Sequence, residues 1–148
     1  RENLQASRAL FEQTQARDQL PQLYVHLAEA ALALGDVTTA EQEAQQALTL
    51  ARELQQREGV AQRALGQVAA AQGQSAAAEE LLQDSVRTLQ AVQDEYEAAY
   101  TYLILAELYA ATQRAAEAQA ALGRCVPVFE QLGAALWLAR AAQVRGRL

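Results

Sequence analysis

The sequence contains no lysine, no methionine, one histidine, one cysteine and two prolines among its 148 residues. All twelve basic residues are arginines scattered along the chain, and the formal net charge is −6. A nucleic-acid surface needs clustered cations that face phosphates, so nucleic acid is not an expected partner. The single cysteine, Cys125, excludes an internal disulfide and fits a reducing, cytoplasmic location.

Long apolar runs are also missing. No stretch approaches the roughly 18 residues that a membrane-spanning helix requires, and the first residues lack the basic and then apolar pattern of a secretory signal. The chain begins without methionine and, from Arg1 to Phe11, already in a helix-like sequence. We therefore expect a piece of a longer cytoplasmic protein, with no membrane as a partner.

Most of the sequence consists of alanine, leucine, glutamine, glutamate and arginine, which are all good helix formers. Residues that favour strands are sparse, and Ile104 is the single isoleucine. These features predict an all-α fold. The expected helices cover residues 2–17, 20–34, 37–57, 59–72, 75–93, 95–112 and 115–132, with a last helix from 134 to the end.

Three segments, which begin at Leu27, Leu65 and Leu105, can be superimposed on one another. Each starts with leucine and a small residue, and a second small residue follows twelve positions later. The first small residue is Ala28, Gly66 or Ala106, with Gly146 as a further candidate, and the second is Ala40, Ala78 or Ala118; the spacings are 38 and 40 residues. Two antiparallel helices cross closely only where side chains are small, so each pair predicts the contact within one helix hairpin.

Residues at the predicted helix ends support the same division. Gly35 and Gly73 fall just after a first helix, where the left-handed conformation suits glycine, and Asp36 can cap the helix that follows. Gln113 replaces glycine in the third hairpin, so its turn is expected to be less ideal. Pro127 falls inside a second helix, which predicts a kink there.

This pattern of paired small residues resembles the tetratricopeptide repeat family over essentially the whole chain. The usual repeat of that family is about 34 residues long, and the longer period found here is similar to that of large bacterial signalling ATPases and their associated transcription regulators. The segment from Val128 to Arg140 is similar to the one that often closes such arrays. The resemblance implies one domain, a right-handed α-α superhelix, with half repeats at 1–18 and 134–148 and full repeats at 20–57, 58–94 and 95–133.

The resemblance also implies where a partner would bind. The first helix of each hairpin lines the concave face of such a superhelix, and the family's groove positions correspond here to Val25, Glu29, Leu32, Arg63, Gln67, Tyr100, Leu103, Glu107 and Gln143. Apolar and aromatic side chains among single charges suit an amphipathic helix or an extended peptide. A neighbouring repeat or domain could instead bury Leu32 and Leu103. Tyr100 is the best hot-spot candidate, whereas Tyr102 and Tyr109 are expected in the core.

We therefore expect a protein- or peptide-binding module that serves as a scaffold or sensor segment of a larger bacterial signalling or regulatory protein. Its partner would be a protein, a peptide or another domain of the parent chain. The alternative is a structural element that forms homodimers through apolar residues at its ends, here Leu136, Trp137 and Val144. Family members that grip a terminal carboxylate do so with lysine and asparagine; this chain has no lysine and only Asn3, so that ligand is not expected.

Catalysis, cofactors and metals are not expected. His26 and Cys125 lie in different hairpins, without a second histidine or cysteine that could complete a metal site. Cys125 occupies the position that Ala47 and Ser85 hold in the other repeats, which predicts a core residue. Neighbouring carboxylates lie at helix starts, where acids favour the helix dipole. The sequence therefore predicts a protein that is not an enzyme.

Overall fold

The described part of the chain is helical. The computed structural model describes residues 2–13 and 17–148, and no strand occurs among them. The helices are α1 Glu2–Gln13, a 3₁₀-helix at Arg17–Gln19, α2 Leu20–Ala33, α3 Val37–Leu54, α4 Glu58–Ala71, α5 Ser75–Ala91, α6 Glu95–Ala111, α7 Ala115–Leu132 and α8 Ala135–Arg145. The predicted all-α class is confirmed for these residues.

The predicted helix bounds agree with the structure to within three residues from α2 to α8. For the first predicted helix, 2–17, the structure describes α1 from Glu2 to Gln13 and a 3₁₀-helix from Arg17; residues 14–16 lie outside the described part. Pro127 does not divide α7, which is one helix throughout. The carbonyl of Gly123, which loses its usual amide donor to the proline, belongs to an exposed residue and is open to water.

The helices pack as hairpins in chain order, α2 with α3, α4 with α5 and α6 with α7. The first helices also contact one another in succession, α2 with α4, α4 with α6 and α6 with α8. No contact of comparable extent joins the second helices α3, α5 and α7 in the described structure. Because the first helices lie closer to one another than the second helices do, the stack curves toward the first helices. The surface formed by α2, α4, α6 and α8, called the first-helix surface below, therefore lies on the inner side.

Small residues form the contact inside each hairpin, as predicted. Four fully buried alanines hold these positions in the first and third hairpins: Ala28, Ala40, Ala106 and Ala118. In the second hairpin, a methyl group added to Gly66 would lie 2.7 Å from Cγ of Leu82, well inside the separation at which carbon atoms attract. The two helices of this hairpin are too close for a side chain at position 66.

The first helices of the second and third hairpins end in the same turn, although only one of them has glycine there. Gly73 has a φ of +77°, and the amide that follows it donates to the carbonyl of Ala69 at 2.9 Å. Gln113 has a φ of +62°, and the amide that follows it donates to the carbonyl of Tyr109 at 2.8 Å. The turn at Gln113, predicted to be less ideal, keeps the hydrogen bond of the glycine turn. The difference is one of energy, because a left-handed residue other than glycine costs roughly 1 kcal/mol.

Among the described helices, carboxylates cap the starts of α3 and α6. Asp36 precedes α3 and accepts a hydrogen bond from the amide of Thr39 at 3.2 Å, as predicted. Asp94 precedes α6 and accepts the corresponding bond from the amide of Glu97 at 3.2 Å. Each cap satisfies a backbone donor that has no partner within the helix, which stabilises the helix start by about 1 kcal/mol.

Replacing Gln113 by glycine should stabilise the protein, because glycine adopts the left-handed conformation without the steric cost. We expect a gain of about 1 kcal/mol in the free energy of unfolding, measured by urea unfolding followed by circular dichroism. The same replacement at Gln119, exposed within α7, should instead lose about 0.5–1 kcal/mol. A loss at both positions would contradict the analysis of the turn.

Replacing Gly66 by alanine should destabilise the protein, because the added methyl group displaces Leu82 from its buried position. We expect a net loss of about 1–3 kcal/mol, in spite of the higher helix propensity of alanine. Gly123→Ala is the matched control, since a methyl group there meets nothing within 4 Å; it should gain about 0.5–1 kcal/mol. Gains of similar size in both variants would show that the hairpin tolerates a side chain at its contact.

Candidate functional site

Two half-buried rings, Tyr100 of α6 and Trp137 of α8, lie against each other on the first-helix surface. Their centroids are 4.6 Å apart and their planes are inclined by 40°. The indole Nε1 of Trp137 donates to the hydroxyl of Tyr96 at 2.7 Å, and the buried ring of Phe129 lies 6.3 Å from that of Trp137. These four residues, called the aromatic cluster below, join α6, α7 and α8.

Two arginines hold the ring of Tyr100 in place. The guanidinium carbon of Arg63 in α4 lies 4.3 Å from the ring centroid, and that of Arg140 in α8 lies 5.7 Å from it. Arg140 also forms a two-point ion pair with Glu107, in which both N–O distances are 2.6 Å. These hydrogen bonds raise the pKa of Arg140 above its ordinary value, so the guanidinium keeps its charge. A ring fixed in this way loses little conformational entropy when a partner covers it.

Arg63 is part of a buried polar network. Its Nη2 lies 2.8 Å from Oε1 of Glu97, and its Nη1 donates to the carbonyl of Glu97 at 3.2 Å and to Oγ1 of Thr101 at 3.4 Å. The hydroxyl of Ser85 in α5 donates to the carbonyl of Gly59 at 2.7 Å and lies 3.1 Å from Oγ1 of Thr101. The network joins α4, α5 and α6, and so fixes the second hairpin to the third.

Six of the nine predicted binding residues are at least partly exposed to solvent. Gln143 is exposed, and five are half-buried: Glu29, Leu32, Gln67, Tyr100 and Glu107. The other three are a correction, because Val25, Arg63 and Leu103 are only 2%, 4% and 0% exposed. Val25 and Leu103 belong to the two apolar cores of the stack, and Arg63 lies in the network above. These side chains support the surface from below.

Trp137 of the aromatic cluster and Arg140 beside it have roles that the sequence did not predict. Arg140 lies 40 residues after Tyr100, which is one repeat, and this spacing indicates that both residues reach the same surface. Trp137 was expected at an exposed end but is half-buried against Tyr100. The expectation of an exposed Val144 is wrong, since it is 1% exposed, whereas Leu136 is 84% exposed as expected.

The side chains that most often act as nucleophiles or metal ligands show no arrangement for chemistry here. Cys125 is buried, as predicted, and burial raises the pKa of its thiol to about 11, so the thiol is protonated at neutral pH. His26 is exposed, with Nε2 2.9 Å from the side-chain nitrogen of Gln22. Among the described residues, no three histidine, cysteine, aspartate or glutamate side chains are grouped to hold a metal ion. No described helix combines the length and apolarity needed to cross a membrane.

Comparison with known proteins bears on the first half of the stack. A family model described as tetratricopeptide repeat matches residues 19–91, the segment that contains α2 to α5. No curated protein matches the chain. The matched segment begins and ends within two residues of the bounds of two hairpins in the structure, so sequence and packing agree on what the repeating unit is.

Replacing Arg63 by alanine should lower the free energy of unfolding by about 3 kcal/mol, because it leaves the carboxylate of Glu97 without its cation. Arg140→Ala removes a more exposed pair with Glu107 and should cost about 1 kcal/mol or less. The double variant Arg63→Met/Glu97→Gln removes both charges and should recover most of the loss. Urea unfolding measures all three, and equal losses for the two arginines would mean that Arg63 behaves as a surface residue.

Proposed function

Because residues 19–91 belong to the tetratricopeptide repeat family, we propose that the protein binds another protein or a peptide on its first-helix surface. Helical repeats of this family are typically interaction modules without catalytic activity. The hairpin of α6 and α7 and the packing of α8 on it continue the stack beyond the matched segment. The role proposed for the whole chain is a scaffold or sensor segment of a larger bacterial signalling or regulatory protein, and the 38–40-residue period supports this context.

The aromatic cluster carries the proposal. Tyrosine, tryptophan and arginine are the residue types enriched where interfaces concentrate their binding energy. The rings of Tyr100 and Trp137 present partly exposed apolar area, and Tyr96 is 39% exposed beside them. Contacts from three helices hold these rings in place, so the surface is organised before a partner arrives.

The surroundings of the cluster indicate what kind of partner fits. Both arginines are already paired with glutamates, so a charged group of the partner gains little there. An apolar side chain gains more, because it covers the rings and displaces water from them. Gln67 and Gln143 offer amides to a peptide backbone, and Glu29 and Leu32 extend the surface along α2. This arrangement fits an amphipathic helix or an extended segment with an apolar residue at its centre.

A second function, self-association, is favoured by one observation. Leu136 at the start of α8 is 84% exposed and Leu132 at the end of α7 is 58% exposed. These two large apolar side chains are close in sequence and bring a patch of apolar surface to this end of the stack. A second copy that covers them would make the chain an oligomerisation element.

The test uses Trp137, which is the single tryptophan of the chain. The full chain is used to capture proteins from the native cell lysate, and mass spectrometry identifies them. Each captured protein is then purified and titrated into the full chain while tryptophan emission is recorded. We expect a partner to shift the emission of Trp137, because the indole becomes shielded from water. Tyr100→Ala should weaken binding roughly tenfold or more, about 1.4 kcal/mol or above. Leu34→Ala, which removes an exposed apolar side chain from the end of α2, should bind as the wild type does.

Two outcomes would count against this function. A partner that binds wild type and Tyr100→Ala equally well, without a change in tryptophan emission, would place binding elsewhere on the molecule. Concentration-dependent dimers in sedimentation equilibrium, abolished by Leu136→Glu, would favour the self-association function instead.

A further inference from the structure

A groove lies between the second helices α5 and α7, on the side of the stack opposite the first-helix surface. It encloses about 400 Å³, within the usual range of ligand sites. Tyr102, Leu105 and Tyr109 of α6 form its floor, and Val86 and Ala120 stand on its walls. None of its lining residues belongs to the aromatic cluster or to the surface proposed above.

Small side chains on α7 open this groove. Ala120 and Ala121 stand where α5, 40 residues earlier, has Glu80 and Leu81. Leu81 packs against the apolar core of the first two hairpins. Its side chain occupies space that the smaller side chain of Ala121 leaves open in α7. The corresponding groove between α1 and α3 encloses only about 50 Å³. A cavity of about 600 Å³ also lies between α3 and α5, but it is at the end of these helices next to Gly59 and Val92, so it differs in position and lining from the groove between α5 and α7.

The carboxylates at one end of the groove already have partners within the chain. Glu79 forms a two-point ion pair with Arg114, at 2.6 and 3.2 Å, and accepts a hydrogen bond from the hydroxyl of Tyr109 at 2.9 Å. Nε of Arg114 lies 2.9 Å from Oε2 of Glu117. The hydrogen bonds from Arg114 lower the pKa of Glu79, so its carboxylate is charged and engaged. A cationic ligand would have to displace Arg114.

Arg124, near the other end, is not satisfied in this way. Its guanidinium carbon lies 5.0 Å from the ring centroid of Tyr102, and no carboxylate in the described part of the chain forms an ion pair with it. Arg87 on the facing helix pairs with a carboxylate of its own helix. Asp94 lines an adjoining cavity together with Glu95 and Arg124, but Asp94 caps the start of α6. Arg124 is therefore the lining cation of the groove for which no ion pair occurs among the described residues.

We propose that this groove binds a segment of a second protein in which an aliphatic side chain lies next to a carboxylate. The aliphatic side chain fills the space above Leu105 and Val86, and the carboxylate accepts paired hydrogen bonds from the planar guanidinium of Arg124. The net charge of −6 does not forbid an acidic ligand. Salt screens exposed charges beyond about 8 Å, so the cation in contact with the ligand outweighs remote acids.

The inference goes beyond the first-helix function, because the two surfaces lie on opposite sides of the stack. A partner on the aromatic cluster contacts α4, α6 and α8, whereas a segment in the groove contacts α5 and α7 and reaches only the opposite face of α6. Both sites can therefore be filled at once. The module would then bring two proteins together, and either site can be tested without the other.

Two arrays of short peptides with a central leucine test the proposal. One array varies the flanking positions among aspartate, glutamate, alanine and leucine, and the other replaces the acids by asparagine and glutamine. We expect the labelled chain to bind members of the acidic array only. The best of these, measured in solution by fluorescence anisotropy, should lose roughly tenfold or more in affinity to Arg124→Gln. Ala120→Phe, which fills the groove from an exposed position, should lose at least as much, and Arg124→Lys should lose less.

Three control variants should bind as the wild type does. Gln119→Phe puts the same ring at the neighbouring exposed position of α7, which does not line the groove. Arg147→Gln removes the same charge elsewhere, and Tyr100→Ala disrupts only the first-helix surface. Circular dichroism checks the fold of each variant, and Arg124→Gln decides alone if Ala120→Phe does not fold.

Any of five results would overturn the proposal. These are no binder in the acidic array, equal binding to the amide array, unchanged affinity after Arg124→Gln, unchanged affinity after Ala120→Phe in a folded protein, and a loss of affinity in Gln119→Phe equal to that in Ala120→Phe. A dimer of this chain that Ala120→Phe dissociates would assign the groove to a second copy instead.

Discussion

The close approach of the two helices within each hairpin is the constraint on which the rest of the structure depends. Alanine or glycine at the contact lets the backbones come together, and in the second hairpin even a methyl group at Gly66 has no room. This contact fixes which face of each first helix turns toward its neighbours. Because the same contact recurs at 38 and 40 residues, side chains at related positions of successive first helices meet, as Tyr100 and Arg140 do.

The buried Arg63 follows from the same stacking. A guanidinium in a core loses its hydration, and a well-packed apolar residue of similar volume would stabilise the fold as well or better. The arginine adds specificity to the packing of α4 on α6, because its hydrogen bonds require Glu97 and Thr101 at fixed positions on the next first helix. The same guanidinium lies under the ring of Tyr100. One buried charge therefore links the register of two hairpins to the position of the residue that best fits a binding hot spot.

Much of the fold could be predicted from the sequence, because helix propensity, small-residue spacing and capping act within a hairpin. The helices from α2 to α8, the capping by Asp36 and the core position of Cys125 are of this kind. The binding surface was only partly predictable, because the burial of Val25 and Leu103 depends on neighbouring helices. The groove between α5 and α7 could not be predicted, since it arises from the small side chains of Ala120 and Ala121 and not from a pattern of chemically active residues.

The two surfaces differ in the interaction that they offer to a partner, because their charged side chains are paired to different extents. Around the aromatic cluster each arginine already has a carboxylate of the chain, so what remains for a partner is apolar area and the amides beside it. In the groove the acids are paired and Arg124 is the described lining cation that has none. Affinity at the proposed first-helix site would then grow with the apolar area that a partner covers, whereas the proposed groove site would discriminate by the sign of a charge. A module with both proposed sites would distinguish two kinds of partner without the two sites competing for the same ligand.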